Sequence, residues 1–226
     1  MVLFFLLSYR VRIGQRGRRR DVAHDVGRAD GSVMQCIVIS GPSGSGKSTL
    51  ATALGAALGP SSDVVRQDDA FTQPFLAVEL RTDDSYESPE HIDWAGLTCR
   101  VRASLERSGG GHVVVEGHLV ATDASLVGLA TAFVNITASP EVCKARRLER
   151  RERTPEETAH LGRYIDEYVE PARMKYIAPA LECLAETARA RGVPMVHVDT
   201  TLAPPVDACV ADVLRALFPA PAAPWW

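Results

Sequence analysis

From residue 36 onward the chain alternates short apolar runs with stretches of helical periodicity. CIVIS (36–40) reads as a buried strand, and the pattern that follows predicts a helix over Lys47–Leu58. VVRQ (64–67) predicts a second strand and residues 92–106 a helix. HVVVEG (112–117) predicts a third strand, with a short helix around 124–130 and a fourth strand at TAFVNIT (131–137). An arginine-rich helix is expected from 140 to about 153. Helical patterns continue over 155–170 and 171–191, where Met174, Ile177, Leu181, Leu184 and Ala188 form one stripe. PMVHVD (194–199) supplies a fifth strand and Val206–Leu217 a closing helix. Five apolar strands separated by helices predict an α/β fold, a five-stranded parallel sheet with helices on both faces.

Composition narrows this picture. The 226 residues are 46% hydrophobic and 23% charged, which excludes disorder over the whole length. The longest unbroken apolar run, 1–7, falls far short of the roughly 20 residues a membrane-spanning helix needs, so no membrane partner is expected. A net charge of −3 and a pI near 6.1 give no electrostatic footprint for nucleic acid. The five cysteines are scattered without a CxxC spacing, which argues against a zinc site or disulfide framework and fits a reducing, cytoplasmic compartment.

Residues 1–33 stand apart, with seven arginines against three aspartates. They read as a basic extension: an organellar transit peptide, or sequence upstream of a true start at Met34. The domain is expected over 34–218, and 219–226 form a Pro-rich tail ending in Trp225 and Trp226. The oligomeric state stays open between monomer and homodimer.

The strongest chemical signal follows the first strand. Gly41-Pro42-Ser43-Gly44-Ser45-Gly46-Lys47-Ser48 fits G-x-x-x-x-G-K-[ST] between a predicted strand and a predicted helix. Such a loop turns backbone N–H groups toward nucleotide phosphates, and the helix starting at Lys47 adds the positive end of its dipole. Lys47 is expected to neutralise the terminal phosphates and Ser48 to ligate Mg²⁺, with Thr49 completing the ATP-binding run.

In an open parallel sheet, ligands lie beyond the carboxyl ends of the strands. Asp68 and Asp69 end the second strand, where a carboxylate can accept a hydroxyl proton and help hold Mg²⁺; the plain alternative is an acidic turn. Glu116 ends the third strand and is expected to serve the metal, or else to face solvent. Arg146, Arg147, Arg150, Arg151 and Arg153 form a basic run in which Arg146 and Arg150, four apart, share a helix face. They suit an arginine lid over transferring phosphates, or else a solvated face paired with Glu149 and Glu152. Tyr164, Tyr168 and Tyr176 read as packing residues.

Taken together, ISGPSGSGKSTLA, VVRQDDAF, SPEHIDW, VVVEGHLV, CKARRLERR and RYIDEYVEPARMKY, spread over roughly 34–202, resemble nicotinamide riboside kinases and the broader uridine kinase-like group. The resemblance implies a Mg·ATP-dependent transfer of the γ-phosphate to the ribose 5′-hydroxyl of a nucleoside. It implies Asp68 as general base near Mg²⁺, Asp93 as the carboxylate holding the ribose hydroxyls, Arg146 and Arg150 as ATP contacts and Arg147 as a substrate contact. Asp93 also fits the N-cap of the following helix. Where the family flanks the base with aromatic rings, this chain has Ile92 and Glu152 or Arg153. A ring from Phe71, Phe75, Tyr86 or Trp94 would have to replace them.

Overall fold

The computed structural model describes residues 12–13, 35–74, 76–77, 80–109 and 111–219. The predicted strands form as β2 (Gln35–Ser40), β3 (Asp63–Arg66), β4 (His112–Glu116), β5 (Ala132–Thr137) and β6 (Met195–Asp199). These five run parallel in the order β3-β4-β2-β5-β6. The phosphate-loop strand β2 thus lies at the centre, between β4 and β5, where the direction of strand addition reverses and a crevice opens at the carboxyl ends.

The sheet carries one strand the apolar pattern does not predict. Arg12–Ile13, β1, pairs antiparallel with β6 through Arg12↔His197 and Ile13↔Val196. Two residues that border an edge need no apolar alternation of their own, so hydropathy gives no signal for them. The remainder of the basic extension and the tail from 220, with both terminal tryptophans, lie outside the described residues.

Alternate residues of each strand face opposite layers, as a sheet buried on both sides requires. Cys36, Val38, Val113, Val115 and Phe133 pack under α2 (Trp94–Arg107) and α3 (Ala124–Leu129), against Leu97, Val101 and Leu126. Ile37, Ile39, Val114, Val134 and Ile136 pack under α1 (Lys47–Leu58), against Leu50 and Leu54. The last helix, α8 (Val206–Leu217), closes that same layer with Cys209, Val210 and Val213.

The arginine-rich helix is shorter than its periodicity predicts. α4 spans Pro140–Glu149, and α5 begins at Pro155 and runs to Tyr164. Two local causes stop α4. Pro155 disfavours helical backbone at Thr154, which instead caps α5 in a reciprocal box with Glu157. Arg153 Nη1 donates to the carbonyls of Arg147 (3.3 Å) and Leu148 (3.0 Å), satisfying the end of α4.

Beyond α5 the chain stays helical to Arg191 through α6 (Glu170–Ala172) and α7 (Ala178–Arg191). Wide π-turns at Ile165–Val169 and Arg173–Ile177 separate these pieces, each just ahead of a proline, Pro171 and Pro179. A proline cannot donate to the preceding turn, and the wider i→i−5 register absorbs that loss without breaking the helix. All five cysteines are free. No helix among the described residues is long and apolar enough to cross a membrane.

Candidate active site

The phosphate loop connects β2 to α1 and is held from below by two close approaches. Gly41 has φ +150°, and a Cβ there would stand 2.1 Å from the Ile136 carbonyl oxygen. At Gly44, φ is +88° and a Cβ would meet the Cys143 carbonyl oxygen at 2.5 Å. Only glycine fits both the backbone and the space. Gly46, also left-handed, caps α1 without a side-chain hydrogen bond, which leaves the first N–H groups of that helix directed at the crevice.

Lys47 heads α1 and is almost fully buried, its Nζ donating to the Pro42 carbonyl at 2.8 Å. Burial pushes its pKa down, while Glu116 and Asp68 nearby pull it back up. Those two carboxylates come from neighbouring strand ends. Glu116 closes β4 and is buried, not solvent-facing; Asp68 stands on the 3₁₀ turn Gln67–Ala70 that follows β3. Desolvation raises the Glu116 pKa, opposed by Lys47 and by a hydrogen bond from Ser48, with Arg66 Nε at 3.9 Å from Oε1.

Ser48, Glu116 and Asp68 therefore offer three hard oxygen donors beside the phosphate loop, a set that fits Mg²⁺ completed by phosphate oxygens and water. Among the described residues no group of three His, Cys, Asp or Glu could hold a metal unaided.

These groups open onto a cavity of about 350 Å³ lined by Ser43, Gly44, Gly46, Lys47, Ser48, Thr49, Asp68 and Glu116, and across from them by Arg147, Arg150, Arg151 and Arg153. Not every expected residue reaches it. Asp69, next to Asp68 on the same turn, is exposed and absent from the lining. Asp93 is exposed and caps α2, its Oδ1 accepting from the Gly96 N–H at 2.8 Å. Neither is brought to the cavity.

The arginine run is divided too. Arg146 turns away from Arg150, its Nη1 donating to Thr200 Oγ1 (3.0 Å) and its Nη2 to the Thr200 carbonyl (2.5 Å). It lines a second, more apolar cavity of about 230 Å³ with Ser45, Gly46, Thr49, Ala203, Pro204 and Val206. Arg150, at the C-cap of α4 with helical backbone, lines the main cavity instead, so the two side chains serve different spaces.

The far wall of the main cavity holds residues the sequence reading passed over. Glu87 is buried, with Arg147 Nη2 at 4.0 Å from Oε1 and His118 Nε2 at 3.5 Å from Oε2. Tyr164 donates its hydroxyl to Glu87 Oε1 at 3.3 Å. Burial raises the Glu87 pKa, and Arg147 and Arg81 oppose that rise. Arg81 stacks 3.9 Å over the Tyr86 ring and donates from Nε to the Leu76 carbonyl at 3.1 Å.

Gln67 turns inward from Asp68, accepting from the Leu119 N–H at 2.7 Å and meeting His118 Nδ1 with its amide nitrogen at 3.4 Å. Burial and the charges of Lys47 and Arg147 hold the His118 pKa down to about 3. His118 was within reach of the strand-end argument that found Glu116 two residues earlier. Arg81 and Glu87 sit in a polar, acidic stretch that reads as solvated loop.

Of the rings proposed to replace the missing aromatics, Phe71 and Tyr86 line the cavity, their centroids 5.3 Å apart. Trp94 instead donates to the Pro89 carbonyl at 2.8 Å and packs on the core; Phe75 lies outside the described residues. Tyr168 and Tyr176 pack against hydrophobic clusters, as expected of packing residues.

A family model described as an AAA domain matches residues 37–175. No curated protein matches the sequence. Among solved structures, the chain is similar to a gluconokinase from Sinorhizobium meliloti, with a TM-score of 0.44 and 20% identity over 81% of this chain and 91% of that one. It is also similar to the shikimate kinase from Acinetobacter baumannii solved in complex with shikimate, with a TM-score of 0.42 and 16% identity over 81% of this chain and 93% of that one.

Proposed function

The chain belongs to the AAA domain family, and from that premise we propose that it is a Mg·ATP-dependent kinase acting on a hydroxyl of a small molecule. The observation that carries this reading is a shared cavity. Asp68, a carboxylate able to take a proton, opens onto the same space as the phosphate-loop residues Lys47 and Ser48 and the arginines Arg147 and Arg150.

In this reading Lys47 and the N-terminus of α1 hold the β- and γ-phosphates, and Ser48, Glu116 and Asp68 hold Mg²⁺. The ion, when bound, would offset charge on the phosphate oxygens. The acceptor oxygen forms a bond to the γ-phosphorus as the bond to the bridging oxygen of ADP breaks, and the hydroxyl proton passes to Asp68. Arg150 stabilises the charge on the equatorial oxygens. The turn carrying Arg150, Arg151 and Arg153 suits a cover that keeps water from the γ-phosphate. The smaller cavity beside Ser45, Gly46 and Thr49 suits the nucleotide base, with Arg146 along its wall.

For the acceptor, the reading that agrees with the sequence resemblance is the ribose 5′-hydroxyl of a nucleoside, nicotinamide riboside first and uridine or cytidine as the alternative. Support comes from Phe71 and Tyr86, which supply ring surface in the cavity although neither occupies the family's stacking positions. The test is ADP release by the full chain with Mg·ATP, comparing these three nucleosides with no acceptor. Turnover with any of them, abolished by Asp68→Asn, supports a nucleoside kinase. Tight ATP binding with no acceptor-dependent ADP release from these or from small hydroxy compounds would instead leave a nucleotide-binding protein without transfer.

A further inference from the structure

The wall opposite the phosphate loop contains buried hydrogen-bond donors with no acceptor. Arg147 is 8% exposed and lines the cavity, yet its Nη1 makes no hydrogen bond. Its ion pair with Glu87 is long, at 4.0 Å, because Glu87 Oε1 receives the Tyr164 hydroxyl. His118, also 8% exposed and lining the cavity, repeats the pattern: its Nε2 makes no hydrogen bond of normal geometry. Glu87 Oε2 lies 3.5 Å from that nitrogen, and the ring also meets the Tyr86 backbone.

The orientation of the His118 ring is fixed by its neighbours. The Leu119 N–H commits the Gln67 side-chain oxygen, so the Gln67 amide nitrogen is what faces His118 Nδ1. Nδ1 accordingly accepts and Nε2 carries the hydrogen, as it would in the charged ring as well. Arginine can only donate. Two buried donors thus border one cavity, and a buried donor left unmade is costly unless a ligand oxygen completes it.

Charge on this wall points the same way. Asp68 and Glu116 belong to the metal, and Lys47 to the nucleotide phosphates. Arg147 and Glu87 remain, and burial favours the neutral form of that carboxylate, which leaves the Arg147 guanidinium charge facing the cavity.

From this we infer that the acceptor is an anion: its hydroxyl lies at Asp68 while a carboxylate or phosphate group on the same molecule accepts from Arg147 and His118. The inference rests on the kinase reading of the cavity and deepens it by giving the acceptor a charge. Arg147 offers the planar fork that a carboxylate or phosphate accepts in bidentate fashion. Phe71 and Tyr86 cover the apolar part between the two ends.

The experiment uses the full chain and acceptors paired with and without a carboxylate, the member that carries it being the anionic one: nicotinate riboside against nicotinamide riboside, and gluconate against sorbitol. ADP release is measured with Mg·ATP, and in parallel each compound is titrated calorimetrically into the chain saturated with a non-hydrolysable ATP analogue. In at least one pair the anionic member should bind at least about tenfold tighter, and Arg147→Lys and His118→Leu should erase most of that preference. The wild-type preference decides even if those variants fold poorly. Equal or reversed preference, or no binding by either member of both pairs, overturns the anion site. So does a loss of ATP-analogue affinity in Arg147→Lys with the pair preference intact, which would give these donors to the γ-phosphate. A strong binding preference without ADP release from any of the four keeps the anion site and removes the kinase reading instead.

Discussion

Arg146 holds Thr200 at two points, through the side-chain hydroxyl and the backbone carbonyl, and Thr200 Oγ1 in turn donates to the Ser45 carbonyl at 2.8 Å. One arginine on α4 is thereby tied to the loop after β6 and to the phosphate loop itself. Arg150, four residues on, has no part in this and lines the main cavity.

The two arginines should therefore separate in kinetics. Arg146→Ala should raise the KM for ATP by about tenfold with a smaller change in kcat, because it removes the wall of the smaller cavity and two charge-assisted hydrogen bonds. Arg150→Ala should lower kcat by about tenfold or more with ATP binding little changed, as expected for a contact made in the transition state. Steady-state kinetics at saturating acceptor decides. Equal effects on both constants in both variants would mean that the pair acts as one lid after all.

Asp68 and Asp69 are adjacent on one 3₁₀ turn, but only Asp68 faces the cavity. Asp68→Asn should cost on the order of 10²–10⁴ in kcat with little loss of ATP affinity. Asp69→Asn should stay within about threefold of the parent chain, since an exposed carboxylate outside the cavity takes no proton from the acceptor. Turnover near the parent value in Asp68→Asn would take the base role away from that residue.

What could be read from sequence follows from which interactions are local. β2, β4 and β5 are buried on both faces, so their apolar runs mark them directly, and the phosphate loop is contiguous, so its glycines and lysine declare themselves together. Glu116 and Asp68 were reachable because strand ends in a parallel sheet share one rim. The far wall was not. Arg81 and Glu87 arrive through a polar segment whose pairing with Arg147 and Tyr164 spans much of the chain and leaves no periodic trace. Asp93 shows the opposite hazard: a carboxylate ahead of a helix fits a cap and a ligand equally well in sequence, and here it caps. The split of Arg146 from Arg150 depended on the partner each side chain meets, Thr200 for one and the main cavity for the other, and a helical period shows neither.

Gly44 gives a test of the loop that does not depend on the acceptor. A methyl group there would meet the Cys143 carbonyl at 2.5 Å, with the backbone already at φ +88°. Gly44→Ala should lower stability by roughly 1–3 kcal/mol, the cost of a strained backbone at a functional turn, and should weaken ATP binding at least about tenfold by moving N–H groups off the phosphates. Nucleotide titration and denaturant unfolding measure the two effects separately. Unchanged ATP affinity in a folded Gly44→Ala chain would mean that the loop does not cradle phosphate in the form seen here.

Cys36 gives the fold a dependence on alkaline pH. Its thiol sits in β2 within the layer formed with Val38, Val113 and Phe133, and burial pushes its pKa up from 9.0 to about 12. Between those values the folded chain keeps the proton that the unfolded chain has lost, so stability is complete below pH 9 and declines as pH rises toward 12. The contribution of this one group is a slope of about 1.4 kcal/mol per pH unit. Cys36→Val fills similar space with no ionisable atom and suits a strand. Urea unfolding of both chains at pH 8, 9, 10 and 10.5 should give parallel stabilities up to about pH 9 and a steeper fall in the parent above it. The same slope in both chains would show that the thiol ionises without leaving the folded state, and that β2 opens to solvent at its first buried position.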